Sequence, residues 1–381
     1  MSASKVFFTD FHTESYGDGT PTKLRKLLAA SGFNDMDFEG KFVAIKIHFG
    51  EKGNLSFLRP NYARVVVDMV KERGGKPFLT DCNTMYPGFR KNALEHLYCA
   101  WENGFTPLTV GCPIIIGDGL KGTDDIAVPV EGGEYVKEAY IGRAVMDADI
   151  IISLTHFKGH EETGFGGALK NIGMGCGSRA GKKDQHSSGK ALINAELCRA
   201  CRKCQKECAN GGLVFDDEAK KMTVDHNNCV GCGRCLGACN FDAIYFQDFN
   251  ANTLLCRKIA EYSKAVLNGR PSFHISLVID VSPNCDCHAE NDVPILPDLG
   301  MFVSSDPVAL DQACADACLA AEPLPGGQLY RNIHSEGFVD HHDHFKNSNP
   351  NIEWKACLEH AEKIGLGSRN YELVKFGRFT D

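Results

Sequence analysis

The sequence predicts an α/β core with a mostly parallel sheet, interrupted by a small α+β cysteine-rich domain. Three observations predict it. Apolar strand-like runs alternate with amphipathic helical segments through the first 190 residues, and the same regularity resumes after residue 250. Between them, over residues 191–249, the periodicity stops and eight cysteines fall in short order. Those cysteines form one spacing written twice, so the segment is a duplicated unit set inside the core rather than after it. The expected division is therefore 1–190 and 250–381 for the two parts of the core, with 191–249 as the insert. Two separate α/β domains are the alternative.

The elements follow from local signals. Lys5–Asp10 reads as a short strand, and Pro21–Ala30 as a helix opened by Pro21 and Thr22. Phe42–Phe49 alternates with period two and reads as a strand; Asn61–Arg73 is a helix stopped by Gly74-Gly75. Pro77–Thr80 is a strand, Lys91–Trp101 a helix, Pro113–Ile116 a strand, Glu134–Met146 a helix and Asp149–Leu154 a strand. This order implies parallel strands with helical crossovers. Beyond the insert, Ala251–Leu267 is helical, and His274–Val281 and Gly300–Ser304 are strands. Pro307–Ala320 is a helix with Asp306 as N-cap, and Glu353–Lys363 is another. Glu322–Gly327 and His341–Pro350 read as surface loops.

Composition narrows the functional classes. With 43% hydrophobic and 24% charged residues, the 381-residue chain can bury a sizeable core. A net charge of −8 without a basic stripe argues against nucleic acid, and suits a protein partner with a basic docking patch. No run of eighteen apolar residues occurs, so no membrane span is expected, and the N-terminus lacks a signal-peptide pattern. The expected location is the cytoplasm. Eighteen cysteines there are better read as metal or cluster ligands and free thiols than as disulfides.

Cys198, Cys201, Cys204 and Cys208 recur 31 residues later as Cys229, Cys232, Cys235 and Cys239. The spacing C-x2-C-x2-C-x3-C suits a cubane iron–sulfur cluster. Three cysteines wrap one cube, and the fourth points away to the other. Cluster I then takes Cys198, Cys201, Cys204 and Cys239; cluster II takes Cys229, Cys232, Cys235 and Cys208. Structural zinc also uses paired cysteines, but it needs no triple C-x2-C-x2-C, and here that occurs twice in register. The segment resembles the dicluster bacterial ferredoxins. It departs from them after each fourth cysteine, where Ala209 and Asn240 replace the usual proline, which leaves the reduction potentials open.

A second set of polar residues falls near strand ends. Lys46 and His48 are two apart on one strand, Asp81 follows the next, and His156, Lys158 and His160 follow another. Asp280, Cys285, Cys287 and His288 come after His274–Val281. In a parallel sheet such positions gather along one edge, where ligands bind. His48, Asp81, His156, Lys158 and His160 are thus the candidate catalytic residues, and Cys285 and Cys287 candidate ligands of an additional metal. Lys46, Lys158 and Lys170 suit an anionic ligand such as a carboxylate or phosphate. Thr163–Asn171 and Gly173–Gly177 read either as an anion-binding loop or as tight glycine packing. The dinucleotide fingerprint and the serine-hydrolase elbow are absent. His341–His344 reads as a solvated run.

As a whole the chain resembles a family of uncharacterised prokaryotic iron–sulfur centre proteins, which pair a domain of unknown function with a dicluster ferredoxin segment. The resemblance rests on Lys46-Ile47-His48, Thr155–His160, Gly164–Asn171 with Gly173-Met174-Gly175, the insert, and Ser305–Asp311. It implies the inserted architecture and no established reaction. The core is also distantly similar to nickel-cofactor racemase folds, at fold level only. The leading expectation is a cytoplasmic oxidoreductase that exchanges electrons with a redox protein and binds a small ligand at the strand ends. The alternatives are an electron carrier or assembly factor, and a non-redox enzyme with structural clusters. Protein purified anaerobically is expected to carry about eight irons and eight sulfides per chain. Zinc in their place, measured by metal analysis, would overturn the cluster assignment.

Overall fold

The computed structural model describes residues 3–13, 15–85, 88–186, 190–208, 210–229, 235, 238–239, 241, 243–246 and 251–377. Its strands are β1 (Ser4–Thr9), β2 (Phe42–Lys46), β3 (Lys76–Asp81), β4 (Ile114–Ile116), β5 (Asp125–Pro129), β6 (Glu138–Gly142), β7 (Ile150–His156) and β8 (Lys158–His160). They continue with β9 (Gly164–Gly166), β10 (Ala191–Ile193), β11 (Leu213–Asp216), β12 (Lys221–Val224), β13 (Ile244–Phe246), β14 (Ser272–Val278), β15 (Gly300–Ser304) and β16 (Tyr371–Lys375).

Eight of them form one sheet in the order β16-β1-β15-β14-β7-β2-β3-β4. From β14 to β4 every neighbour is parallel. Only β15 runs against its neighbours, pairing antiparallel with β14 and β1. The chain runs outward from β2 to β3 and β4, then returns to lay β7 on the other side of β2. Strand order therefore reverses between β2 and β7, the place where open α/β sheets leave a crevice. Strands from both sides of the cysteine-rich segment share this one sheet.

Both faces are covered. Leu24, Leu27 and Leu28 of the helix Thr20–Ala30, with Val66, Val67 and Val70 of Pro60–Lys71, pack on Ile45, Leu79 and Ile152. The helices Ala168–Cys176, Ala251–Leu267 and Pro307–Ala320 cover the other face. Every residue of β7 is buried, as a central parallel strand between two helical layers must be.

Several sequence expectations change here. Glu134–Met146 is not one helix. Its middle is β6, paired antiparallel with β5, and Ala139 and Ile141 point inward while Glu138 and Tyr140 face out. That period-two burial overrides the helical reading, and only the turn Arg143–Met146 is helical. The β2 ladder ends at Lys46, so His48 lies beyond the strand. The strand expected at His274–Val281 is Ser272–Val278, and Asp280 turns away with φ +47 and donates its N–H to Asp298. Within His341–Pro350, Asp343 caps a short helix His344–Ser348 that buries Phe345, so this stretch is not a plain loop.

The cysteine-rich segment has its own small core. Ala191, Leu213, Met222, Ala243 and Ile244 cluster with Cys198, Cys204 and Cys235. β10 pairs antiparallel with β13, which draws the two ends of the segment together, and β11 and β12 form a hairpin.

One close contact sets the position of the helix Ala168–Cys176. A Cβ on Gly173 would stand 2.3 Å from the Ile259 carbonyl oxygen and 2.7 Å from Ser263 Oγ, on the neighbouring helix. Gly173→Ala is therefore expected to destabilise the protein by about 1–3 kcal/mol, although alanine is the better helix former. An unchanged or raised denaturation midpoint would show that the helices do not touch there.

Candidate functional site

The crevice between β2 and β7 opens into a cleft of about 1730 Å3. Lys46, Asp81 and His156 are the last residues of β2, β3 and β7 and line it. Lys158 and His160 come from β8, and His48 from just past β2. All five candidate catalytic residues thus meet in one cleft, and all but His48 are buried.

Asn171 ties the crevice shut at its base. Its Nδ2 donates to the Lys46 and Leu154 carbonyls, at 3.2 Å each, and so bridges β2 and β7. Its Oδ1 accepts from Lys46 Nζ at 2.7 Å. Lys46 Nζ also lies 3.0 Å from Asp81 Oδ1. Burial opposes the charge of Asp81, but Lys46 and the neighbouring His96 and His48 hold its carboxyl well below the usual range.

The centre of the cleft is Asp286, which is fully buried. Its Oδ1 lies 2.8 Å from Lys158 Nζ, and its Oδ2 lies 3.2 Å from His156 Nδ1 and 3.5 Å from His48 Nδ1. Burial opposes its ionisation, yet His48, Lys158 and His156 hold it well below the usual carboxylate range. Burial alone would lower the Lys158 pKa; the Asp286 charge raises it instead. Arg90 closes the other wall. Its Nε donates to Glu51 Oε2 at 3.0 Å, and its NH1 lies 2.7 Å from His48 Nε2. A guanidinium only donates, so Nε2 is the acceptor. Burial, against the pull of Asp286, drives the His48 pKa down to about 3, so this ring is neutral near pH 7.

This geometry corrects one expectation and decides between two open readings. Lys46 and Lys158 are already paired with internal carboxylates, which leaves Lys170 as the member of that trio without a carboxylate partner in hydrogen-bonding range among the described residues; its Nζ lies 3.9 Å from Cys285 Sγ. The glycine-rich stretch is not an open anion site, because the Ala168 and Leu169 amides at the helix start already donate to Asp311, at 2.6 and 2.9 Å. His160 lines the cleft but its Nδ1 accepts from the Glu162 and Thr163 amides. Cys285 and Cys287 flank Asp286 on the same loop, with the Cys287 amide 3.4 Å from Cys285 Sγ.

Asp286, Arg90, Glu51 and Asn171 were not singled out as site residues from the sequence. Asp286 could have been suspected between Cys285 and Cys287. Arg90 and Glu51 lie in loops with no periodic or spacing signal.

The insert supplies a further wall through Lys203, Lys206, Glu207, Ile244 and Tyr245. Its cysteines fit an iron–sulfur cluster. None of the seven described ones is in a disulfide; Cys232 lies outside the described residues. Burial pushes the Cys204 thiol up to about 11, helped by the nearby Cys239, Cys201 and Cys198. Cys239 of the second motif packs against the small core that holds Cys198 and Cys204 of the first. Between Cys198, Cys201 and Cys204, Ala200 and Arg202 hold left-handed backbone, with φ 56 and 58, which curls the loop around its sulfurs. The Gly212 amide donates to Cys208 Sγ at 3.2 Å.

A family model described as a domain of unknown function (DUF362) matches residues 43–316. An uncharacterized protein of Methanocaldococcus jannaschii is 32% identical over 84 residues, covering 20% of this chain and 30% of that protein. The uncharacterized ferredoxin-like protein YdhY of Escherichia coli is 36% identical over 53 residues, covering 13% and 26%. These matches span about a third or less of the relatives' own length. The lactate racemase apoprotein from Thermoanaerobacterium thermosaccharolyticum superposes with a TM-score of 0.34 at 13% identity, covering 73% of this chain and 51% of that one. The cysteine motifs and the ferredoxin-like relatives mark the chain as iron–sulfur binding. Among the described residues no helix is long and apolar enough to cross a membrane.

The neutral His48 has a pH consequence. Its folded pKa of about 3 lies below the ordinary 6.5, so between these values the unfolded chain binds the extra proton. Stability from this group is complete above about 6.5 and falls as pH falls. Between about pH 7 and pH 5 the expected loss is roughly 2 kcal/mol, and His48→Gln should remove that part of the slope. Equal slopes in denaturant titrations of the two proteins would refute it.

Proposed function

This chain belongs to the DUF362 family, and we propose that it is a cytoplasmic electron-transfer protein with two [4Fe–4S] clusters that serves a redox reaction in its core cleft. Cys198, Cys201, Cys204 and Cys239 would hold one cluster, and Cys229, Cys232, Cys235 and Cys208 the other. When bound, such clusters exchange electrons singly, at potentials tuned by charge, exposure and hydrogen bonds to sulfur. The Gly212 amide on Cys208 Sγ is one such bond.

The observation that carries the proposal is that one cleft is lined by both parts. Lys203, Lys206 and Tyr245 of the insert face the same space as His156, Lys158 and Lys170 of the core. A small ligand there would lie beside the redox module. The core residues act as a fixed frame. Asp286 holds Lys158, His156 and His48 in place, and the Lys170 ammonium offers a cation to an anionic ligand. Electrons would come from, or pass to, a protein partner. Leu197, Val214 and Phe241 are large apolar side chains exposed on the insert, which suits transient docking.

The test is single-turnover reoxidation. Protein reduced with dithionite and freed of excess reductant is mixed, without oxygen, with the small-molecule fraction of an anaerobic cell extract. Wild-type protein should reoxidise well above its rate in buffer. Lys170→Met should slow this at least about tenfold while keeping its iron, sulfide and dithionite bleaching. Equal rates in the two proteins would remove the cleft from the reaction and leave a carrier.

A further inference from the structure

At the mouth of the cleft, three side chains of different chemistry converge. Glu161 lies in the turn between β8 and β9, and Cys287 and His288 lie in the loop after β14. One ligand atom from each falls within 4.8 Å of the others. We propose that Glu161, Cys287 and His288 bind a divalent transition metal of the zinc class, separate from the iron–sulfur clusters. This site does not depend on the redox reaction proposed above.

The donor set selects the ion. A thiolate and an imidazole favour zinc, cobalt or ferrous iron over magnesium or calcium, which prefer oxygen alone. A carboxylate and a thiolate neutralise the two positive charges, and the Cys287 proton leaves to solvent as the metal binds. Donors around such an ion sit about 3–4 Å apart, so the observed spread closes with small side-chain rotations. Three protein ligands leave a fourth position, which faces the cleft, for water or a ligand.

The surroundings are those of a supported site. Glu161 Oε1 lies 2.7 Å from His288 Nε2, and its Oε2 accepts from the Cys285 amide at 3.2 Å. The other His288 nitrogen, Nδ1, lies 3.7 Å from the exposed Glu290 Oε1, a charged neighbour outside direct hydrogen-bonding range. The loop itself is pinned. Arg90 donates to the Cys287 carbonyl, Asn54 donates to the His288 carbonyl, and the Glu51 amide donates to the Asp286 carbonyl. On the opposite side β8 presses against it at Gly159, where a Cβ would stand 2.5 Å from the Pro283 carbonyl oxygen. Both segments bearing ligands are thus held in register before any ion arrives. Glu161 and His288 keep 34% and 23% of their side-chain surface, so an ion can reach them.

The experiment uses the whole protein with its clusters intact, titrated anaerobically with zinc chloride by calorimetry and with cobalt chloride by difference absorption. One ion per chain is expected, with a thiolate–cobalt charge-transfer band and no change in iron or sulfide. Cys287→Ser, His288→Asn and Glu161→Gln should each weaken binding at least about tenfold. Three separate variants guard against one that fails to fold, and unchanged iron content reports that each has folded. A His341→Ala/His342→Ala variant should bind like wild type. The proposal falls if the intact protein takes up no stoichiometric ion, or if Cys287→Ser and His288→Asn bind as wild type does. It also falls if the histidine-run variant loses the ion, or if uptake displaces iron. Intact protein that binds no zinc while its clusters still bleach would reject this site and leave the redox reading untouched.

Discussion

A buried carboxylate organises the cleft. Asp286 has no access to water, and an isolated charge there would be too costly to keep. It persists because Lys158 and His156 pair with it, while the neutral His48 ring lies beside it at 3.5 Å. Those contacts work in both directions. They hold the charge, and they fasten β8, the end of β7 and the segment past β2 to the loop after β14. Arg90 and Glu51 extend the same network to the far wall. Breaking a buried pair of this kind by removing one partner typically costs about 3–5 kcal/mol, so the ligand-facing groups and the local fold are energetically one unit.

The sheet makes this arrangement reachable. Strand order reverses between β2 and β7, so their ends part and leave space. Asn171 bridges both strands just below that space, and it comes from a helix whose placement is set by Gly173 against the next helix and by Asp311 on its first amides. Asp311 shows the cost of the design. Burial pushes its carboxyl up to about 7, and the two amides pull it back. The glycine-rich stretch is thus a packing device that brings an amide side chain to the crevice, and its helix start is closed to outside anions.

The insert solves a different problem. So short a segment has few apolar side chains, and cysteines fill much of its interior. Ala200 and Arg202 take a backbone conformation that costs non-glycine residues about 1–2 kcal/mol each. Sulfur-centred bonding is the natural compensation for that strain, since it ties the curled loop to a bound group. Arg202 also stacks on Phe215 at 3.6 Å, which anchors the loop to the adjacent hairpin.

Much of this was legible in the amino-acid sequence because it is written locally. Ligand spacing within Cys198–Cys208 and its repeat needs no tertiary information, and neither do the strand and helix periods of Phe42–Lys46 or Pro60–Lys71. The strand-end rule was enough to collect His48, Asp81, His156, Lys158 and His160 at one edge. Local signals failed where long-range pairing decided. Glu138–Gly142 became a strand because Asp125–Pro129 lies beside it. Asp286 meets His156 across 130 residues of chain, and Lys170 meets Cys285 across 115. Periodicity carries no record of such meetings. The sequence by itself determined the cysteine spacing expected of iron–sulfur ligands, the α/β layering and the edge of the sheet that bears the polar groups. Only the tertiary structure decided which of those groups are neutralised by internal partners, which remain to face a ligand, and that Glu161 stands beside Cys287 and His288. The physical reason is that charge pairing and metal-ligand geometry depend on distances through space, and loops bring together residues that no spacing along the chain relates.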